Sequence, residues 1–208
     1  MIPRHARPLF ALAVVLLNAP FAAQAIQAPA LSVHAIWGTR EFASDLASLQ
    51  WTKDGAAYTT VDEDSAGNSD LYRVDAVSGK KELLVRGADL VPPGARKPIA
   101  IEEYRFSADG ARLLIFTNTV RVWRLNTKGT YYVWDLVAKR LLPVSTRPGY
   151  QMFAKFSPDG RLVGFVRDNN IYVTDLASGA ETALTTDGGD DVINGTSDWV
   201  YEIGRAHV

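Results

Sequence analysis

The residues most suited to chemistry in this sequence lie in one arginine-rich run. Thr117-Asn-Thr-Val-Arg-Val-Trp-Arg-Leu-Asn-Thr-Lys-Gly129 sets Arg121 and Arg124 on either side of Trp123. A guanidinium offers a rigid fork of donors that fits a carbonyl or a carboxylate. The same pattern also suits a cation–π pair on an exposed hairpin. Glu102-Glu103 is a paired carboxylate. Acid/base chemistry uses such pairs, but a solvated loop edge is the commoner use of adjacent glutamates. Thr185-Thr-Asp-Gly-Gly-Asp-Asp191 is rich in Asp and Gly yet lacks the regular spacing of a calcium loop. Asn194-Gly-Thr196 is formally an N-glycosylation sequon, a three-residue pattern often met by chance.

What is missing narrows the chemistry further. Serine hydrolysis needs a nucleophile, a histidine base and an orienting carboxylate. The chain has no G-x-S-x-G elbow, and its three histidines are His5, His34 and His207. His34 by itself supplies neither a triad nor a metal site. Phosphate- and dinucleotide-binding glycine patterns are absent. With no cysteine, disulfides and thiolate metal sites are excluded. The sequence therefore implies no catalytic residue of its own, no metal and no cofactor. A net charge of −1 gives no electrostatic case for nucleic acid or an anionic membrane.

The elements that must position these residues repeat along the chain. Asp-Gly pairs start at positions 54, 109 and 159. Each is followed by a short apolar run, Ala57–Thr60, Leu113–Phe116 and Leu162–Val166. Each run leads to a second strand pattern, Leu71–Asp75, Tyr131–Leu136 and Ile171–Thr174. A period of about 50 residues with four short strands per copy marks a β-propeller blade. A β-sandwich is the alternative, but its turns recur without a long period. The arginine-rich run is extra length within the second repeat, and such insertions often fall on the binding face. Pro92-Pro93-Gly94 and Pro98 mark a loop joining the first two repeats. The fold expected is all-β: an incomplete propeller of about three four-stranded antiparallel blades after a signal peptide, since rings close with about four to eight blades.

Residues 1–25 read as an export signal. Arg4, His5 and Arg7 precede the apolar Leu9–Leu17 run, and Ala23-Gln-Ala25 is a cleavage pattern. The apolar run is too short to span a bilayer, so the mature chain is expected to be periplasmic or secreted, with no membrane contact after cleavage. Residues 26–202 then form the N-terminal part of the propeller.

With the blades, Trp123-Arg124 and Asn194-Gly-Thr-Ser-Asp-Trp-Val-Tyr-Glu202 in view, residues 31–202 resemble the dipeptidyl peptidase IV family, of the prolyl oligopeptidase group. The Asp198-Trp-Val-Tyr-Glu202 match is the most specific part. The resemblance implies a propeller of about eight blades followed by an α/β-hydrolase domain with a Ser-Asp-His triad. It implies a serine exopeptidase that releases Xaa-Pro, and less well Xaa-Ala, dipeptides from peptides with a free N-terminus, in many relatives as a homodimer. The family's arginine after the blade-two tryptophan contacts a substrate carbonyl, a role that falls on Arg124. Family members follow Trp-Val-Tyr with glutamates, two of which bind the substrate's α-amino group; here Glu202 is present and Ile203-Gly204 follow. The resemblance assigns the triad to a domain outside this chain, which by itself is expected to be inactive. A non-catalytic periplasmic propeller of the TolB type, serving as a binding or scaffold module, is the alternative reading.

The tail Ile203-Gly-Arg-Ala-His-Val208 equals the translation of ATCGGAAGAGCACACGTC, a common sequencing-adapter sequence, so residues 203–208 are expected to be non-native. Long reads across the locus check this: the expected outcome is coding sequence that departs from the adapter after codon 202, and a stop codon directly after Val208 overturns it.

Overall fold

A hydroxyl residue two positions before the Asp of each Asp-Gly pair explains why the chain reverses there. Thr52, Ser107 and Ser157 donate to Asp54, Asp109 and Asp159 at 2.6, 2.5 and 2.5 Å. The same hydroxyls accept from the backbone N–H of Ala57, Arg112 and Leu162 at 3.1, 2.9 and 3.0 Å. Gly55, Gly110 and Gly160 take φ of +67°, +72° and +69°, which an L side chain rarely adopts. The hydroxyl bonds, followed by bonds from the backbone, hold all three carboxyls below the ordinary aspartate range. Each turn is thus closed by its own residues, independently of the core.

The computed structural model describes residues 32–39, 49–122 and 125–196. The chain falls into two compact units, Met1–Asp45 and Leu46–Val208. In the first, His34–Gly38 forms a single short helical turn. The second is built of strands. A four-stranded antiparallel sheet follows chain order: β1 (Leu49–Trp51), β2 (Ala57–Glu63), β3 (Ser69–Asp75) and β4 (Lys81–Val85). The next meander is β5 (Glu103–Phe106), β6 (Arg112–Val122), β7 (Leu125–Asp135) and β8 (Arg140–Pro143). The last is β9 (Gln151–Phe156), β10 (Leu162–Arg167), β11 (Asn170–Asp175) and β12 (Glu181–Ala183). These are the three expected blades. Among the described residues no sheet closes on itself, as in an incomplete propeller.

One feature of the sheets differs from three separate blades. β7 overruns its own meander and pairs with β9, Lys128 opposite Met152 and Gly129 opposite Gln151. Blades two and three therefore share one eight-stranded sheet. The buried Gln151 side chain caps the junction, accepting from the Tyr131 N–H at 3.2 Å.

Alternation along the strands of blade two gives it two buried faces. Tyr104, Leu113, Ile115, Trp134 and Leu141 pack with Leu71, Val85, Leu90 and Ile101 on the blade-one side. Leu114, Phe116, Tyr131, Val133 and Val144 pack with Ala154, Val163, Phe165 and Leu176 on the blade-three side. Each large apolar side chain buried this way contributes about 1.5–3 kcal/mol. Polar contacts cross the same seams. Thr59 Oγ1 and Tyr104 Oη share a bond of 2.8 Å, and Lys53 Nζ donates to the Ala108 carbonyl at 2.5 Å. Arg112 Nη1 donates to the Gly160 carbonyl at 2.7 Å, and Thr174 Oγ1 to that of Val144 at 2.8 Å.

The strongest polar contact of blade three is an ion pair that lies almost out of solvent. Arg167 donates to Glu181 through Nη2 at 2.5 Å and Nη1 at 3.3 Å, with side chains only 4% and 8% exposed. Its guanidinium lies 4.2 Å from the Tyr172 ring centroid. Ser145 of the blade-two/three connection donates to Glu181 and accepts from Arg167 at 2.8 Å. Burial alone would push the Glu181 carboxyl up; the bonds from Arg167 and Ser145 outweigh it and hold the carboxyl below its ordinary range. Removing Arg167 leaves Glu181 with the Ser145 hydroxyl and the exposed Arg147, 3.5 Å away, as partners, so Arg167→Ala is expected to cost about 1–3 kcal/mol in urea unfolding. A depressed carboxyl stabilises above its unfolded pKa and loses that effect as pH falls through its folded value. The wild type is therefore expected to lose stability below about pH 4 more steeply than Arg167→Ala.

Candidate functional site

The second repeat's extra length is a paired arm. β6 and β7 each run to 11 residues and remain paired out to Val122↔Leu125. That pairing brackets Trp123 and Arg124, which lie outside the described residues. Glu202, the other residue assigned to substrate binding from the sequence, also lies outside them. The described structure therefore gives the frame that carries Trp123-Arg124, with no geometry for either assigned side chain.

The arm begins where blade two's buried faces end. Phe116 stacks on Tyr131 with ring centroids 4.3 Å apart and planes at 15°. Burial pushes the Tyr131 phenol up to about 12, although backbone hydrogen bonds from Ala154 and Phe153 oppose it. Tyr131 is thus a neutral packing residue at physiological pH. Gly129 follows from the same crowding: a Cβ there would stand 2.4 Å from the Phe116 ring and 2.8 Å from the Thr117 carbonyl.

Beyond Thr117↔Thr130 the ladder is broken twice. One extra residue on β6 is followed by one extra on β7, and register is recovered at Arg121↔Asn126. The first break contains Asn118 at φ +50°. Bulges of this kind bend a strand and re-aim its side chains. The Thr119 N–H and hydroxyl both donate to the Glu102 carboxylate, the N–H at 3.2 Å. Asn126 Nδ2 from the other strand donates to Thr119 Oγ1 at 2.8 Å.

The structure thus separates the two glutamates that the sequence set side by side. Both are exposed, but only Glu102 sits on a loop edge; Glu103 is the first residue of β5. Glu102 nevertheless has a defined partner in the arm. Glu103 opens β5 opposite Phe116, and desolvation pushes its carboxyl up, with Arg105 opposing. Sequence reasoning missed the role of Glu102 because its partner is 17 residues away across a strand pair. The only signal was its position directly ahead of the repeat that carries the insertion.

A cleft of about 270 Å³ between β8 and the β11–β12 turn offers Ser145, Arg147, Thr174 and Glu181. Ser145 and Glu181 are tied to Arg167, and Ser178 of the same cleft donates to Asp175 within its turn. No cluster of three or more His, Cys, Asp or Glu suited to a metal occurs among the described residues. What the described structure offers is a paired arm that extends from blade two to Val122↔Leu125.

Comparison with known proteins fits this arrangement. Residues 107–203 match the family model for the dipeptidyl peptidase IV (DPP IV) N-terminal region. The chain is 32% identical over 156 residues to a probable dipeptidyl-aminopeptidase B of Aspergillus oryzae, an alignment covering 72% of this chain and 16% of that protein. It is 30% identical over 162 residues to dipeptidyl aminopeptidase B of Saccharomyces cerevisiae, covering 74% and 19%. Among solved structures, Porphyromonas gingivalis dipeptidyl peptidase 4 superimposes with a TM-score of 0.69 at 30% identity, covering 83% of this chain and 24% of that one. The chain therefore spans less than a quarter of the length of these relatives.

The close approach at the arm's base gives a direct check. Gly129→Ala is expected to destabilise the chain by about 1–3 kcal/mol in urea unfolding, because the Phe116 ring must shift to admit the methyl group. A neutral result would show that the contact is not needed.

Proposed function

From the premise that this chain carries the N-terminal region of a member of the dipeptidyl peptidase IV family, we propose that it is the propeller part of an exported serine exopeptidase. The enzyme releases dipeptides, Xaa-Pro and Xaa-Ala, from peptides with a free N-terminus. Its catalytic serine, aspartate and histidine belong to an α/β-hydrolase domain outside these 208 residues. The protein works in the periplasm or outside the cell, delivered there by residues 1–25.

The observation that carries this reading is the blade-two arm, whose last pair brackets Trp123-Arg124 within a stretch matching the family model. In the proposed mechanism Arg124 donates to a carbonyl of the bound peptide through its fork of hydrogen bonds. Glu202 belongs to the carboxylate motif that takes the peptide's ammonium. Two charge-assisted anchors on a rigid frame fix how far the peptide enters, and so which bond faces the nucleophile. The propeller supplies register and the hydrolase domain supplies the bond-breaking step.

Purified as it stands, the 208-residue chain is expected to show no turnover of an Xaa-Pro chromogenic amide, while the protein that includes the hydrolase domain cleaves it. In that protein Arg124→Ala is expected to lower kcat/KM by about 10–100-fold, the worth of a hydrogen bond to a charged group. Acetylating the substrate's N-terminus is expected to abolish cleavage. Saturable turnover by the 208-residue chain, or equal rates on free and acetylated substrates, would overturn the reading.

A further inference from the structure

We propose that Glu102 is the latch that sets the pose of the blade-two arm, and hence a positioning residue for peptide binding; the second half of this inference rests on the function proposed above. The argument starts from the backbone. A bulge removes an N–H from the ladder and leaves it in need of an acceptor. In this arm that N–H belongs to Thr119, and it points away from β7 to the Glu102 carboxylate at 3.2 Å. The Thr119 hydroxyl reaches the other carboxylate oxygen and at the same time accepts from Asn126 Nδ2 at 2.8 Å. Glu102, Thr119 and Asn126 thus link the strand entry of blade two to both strands of the arm.

The latch also has a fixed base. The Glu102 N–H donates to the Phe116 carbonyl at 3.1 Å, and Phe116 is buried and stacked on Tyr131. Its carboxylate therefore holds the arm from a rigid point, not from a free loop. Without it, the two compensating breaks leave the outer pairs Arg121↔Asn126 and Val122↔Leu125 joined to the blade through a ladder interrupted on both strands. Such a joint bends easily, and these outer pairs would sample several directions. A latch at the joint confines them to one, which lowers the ordering cost of binding a peptide there.

The test uses two independent readouts. In the 208-residue chain, hydrogen exchange at the Thr119 amide is expected to be faster by roughly tenfold in Glu102→Ala than in the wild type, with β10 and β11 amides unchanged. Glu102→Gln keeps an acceptor for that N–H and is expected to restore most of the protection. In the protein that includes the hydrolase domain, Glu102→Ala is expected to raise KM for an Xaa-Pro amide several-fold at nearly constant kcat, with rescue by Glu102→Gln. Unchanged exchange at Thr119 overturns the latch whatever the activity. Faster exchange with an unchanged KM overturns the positioning role while the peptidase reading stands. A wild-type protein without peptidase activity counts against the proposed function alone, and the exchange data then still decide the latch.

Discussion

Burial of blade two on both faces is the constraint on which the rest of this structure depends. A single four-stranded sheet cannot remove its apolar residues from water by itself. Here Leu113 and Ile115 point to blade one while Leu114 and Phe116 point to blade three. Because side chains alternate with a period of two, a slip of one residue in β6 would exchange the two sets. The register of β6 and β7 is therefore fixed by two neighbours at once. Such a doubly clamped sheet can carry an extended arm without losing its own order.

Polar contacts cross the same seams as the apolar clamp. Arg112 and Lys53 each reach a carbonyl of the next blade, and Thr174 reaches the Val144 carbonyl within a buried seam. The Arg167–Glu181 pair sits at the same boundary and is further held by Ser145. Desolvating two charges is costly, so the pair adds specificity more surely than net stability. It binds the connection between blades two and three to strands β10 and β12 of blade three. Orientation between neighbouring wedges thus has a polar determinant as well as an apolar one.

Order passes outward from this clamp to the arm. Phe116 and Tyr131 close the buried layer, Gly129 lets the strands approach over the ring, and two bulges then redirect the chain. Glu102 reaches the joint from the neighbouring strand entry. In the cleft beside β8, Ser145 and Glu181 are committed to Arg167, and the Asp54, Asp109 and Asp159 carboxyls are committed to closing turns. Recognition by a stiff projection, with chemistry supplied from elsewhere, is the division of labour that the proposed exopeptidase function requires. The family likeness and the placement of the arm support the same division from separate directions.

Local chemistry made much of this legible in the sequence. The three turns could be read because Thr52, Ser107 and Ser157 close them within a few residues, and the strands because apolar and polar residues alternate beside them. The family relation was legible in Trp123-Arg124 and in Asp198-Trp-Val-Tyr-Glu202 for the same reason: contiguous residues carry it. The β7–β9 junction, the buried Arg167–Glu181 pair and the Glu102–Thr119 contact were not legible, because each joins residues through space across turns and strand pairs. Adjacent glutamates look alike in a sequence, yet Glu102 meets a bulge amide and Glu103 faces Phe116 across a ladder. The sequence by itself determined where the chain turns and which faces are apolar, since those depend on neighbours along the chain. Only the tertiary structure decided which strands share a sheet and which carboxylate holds the arm, since those depend on distances set by packing.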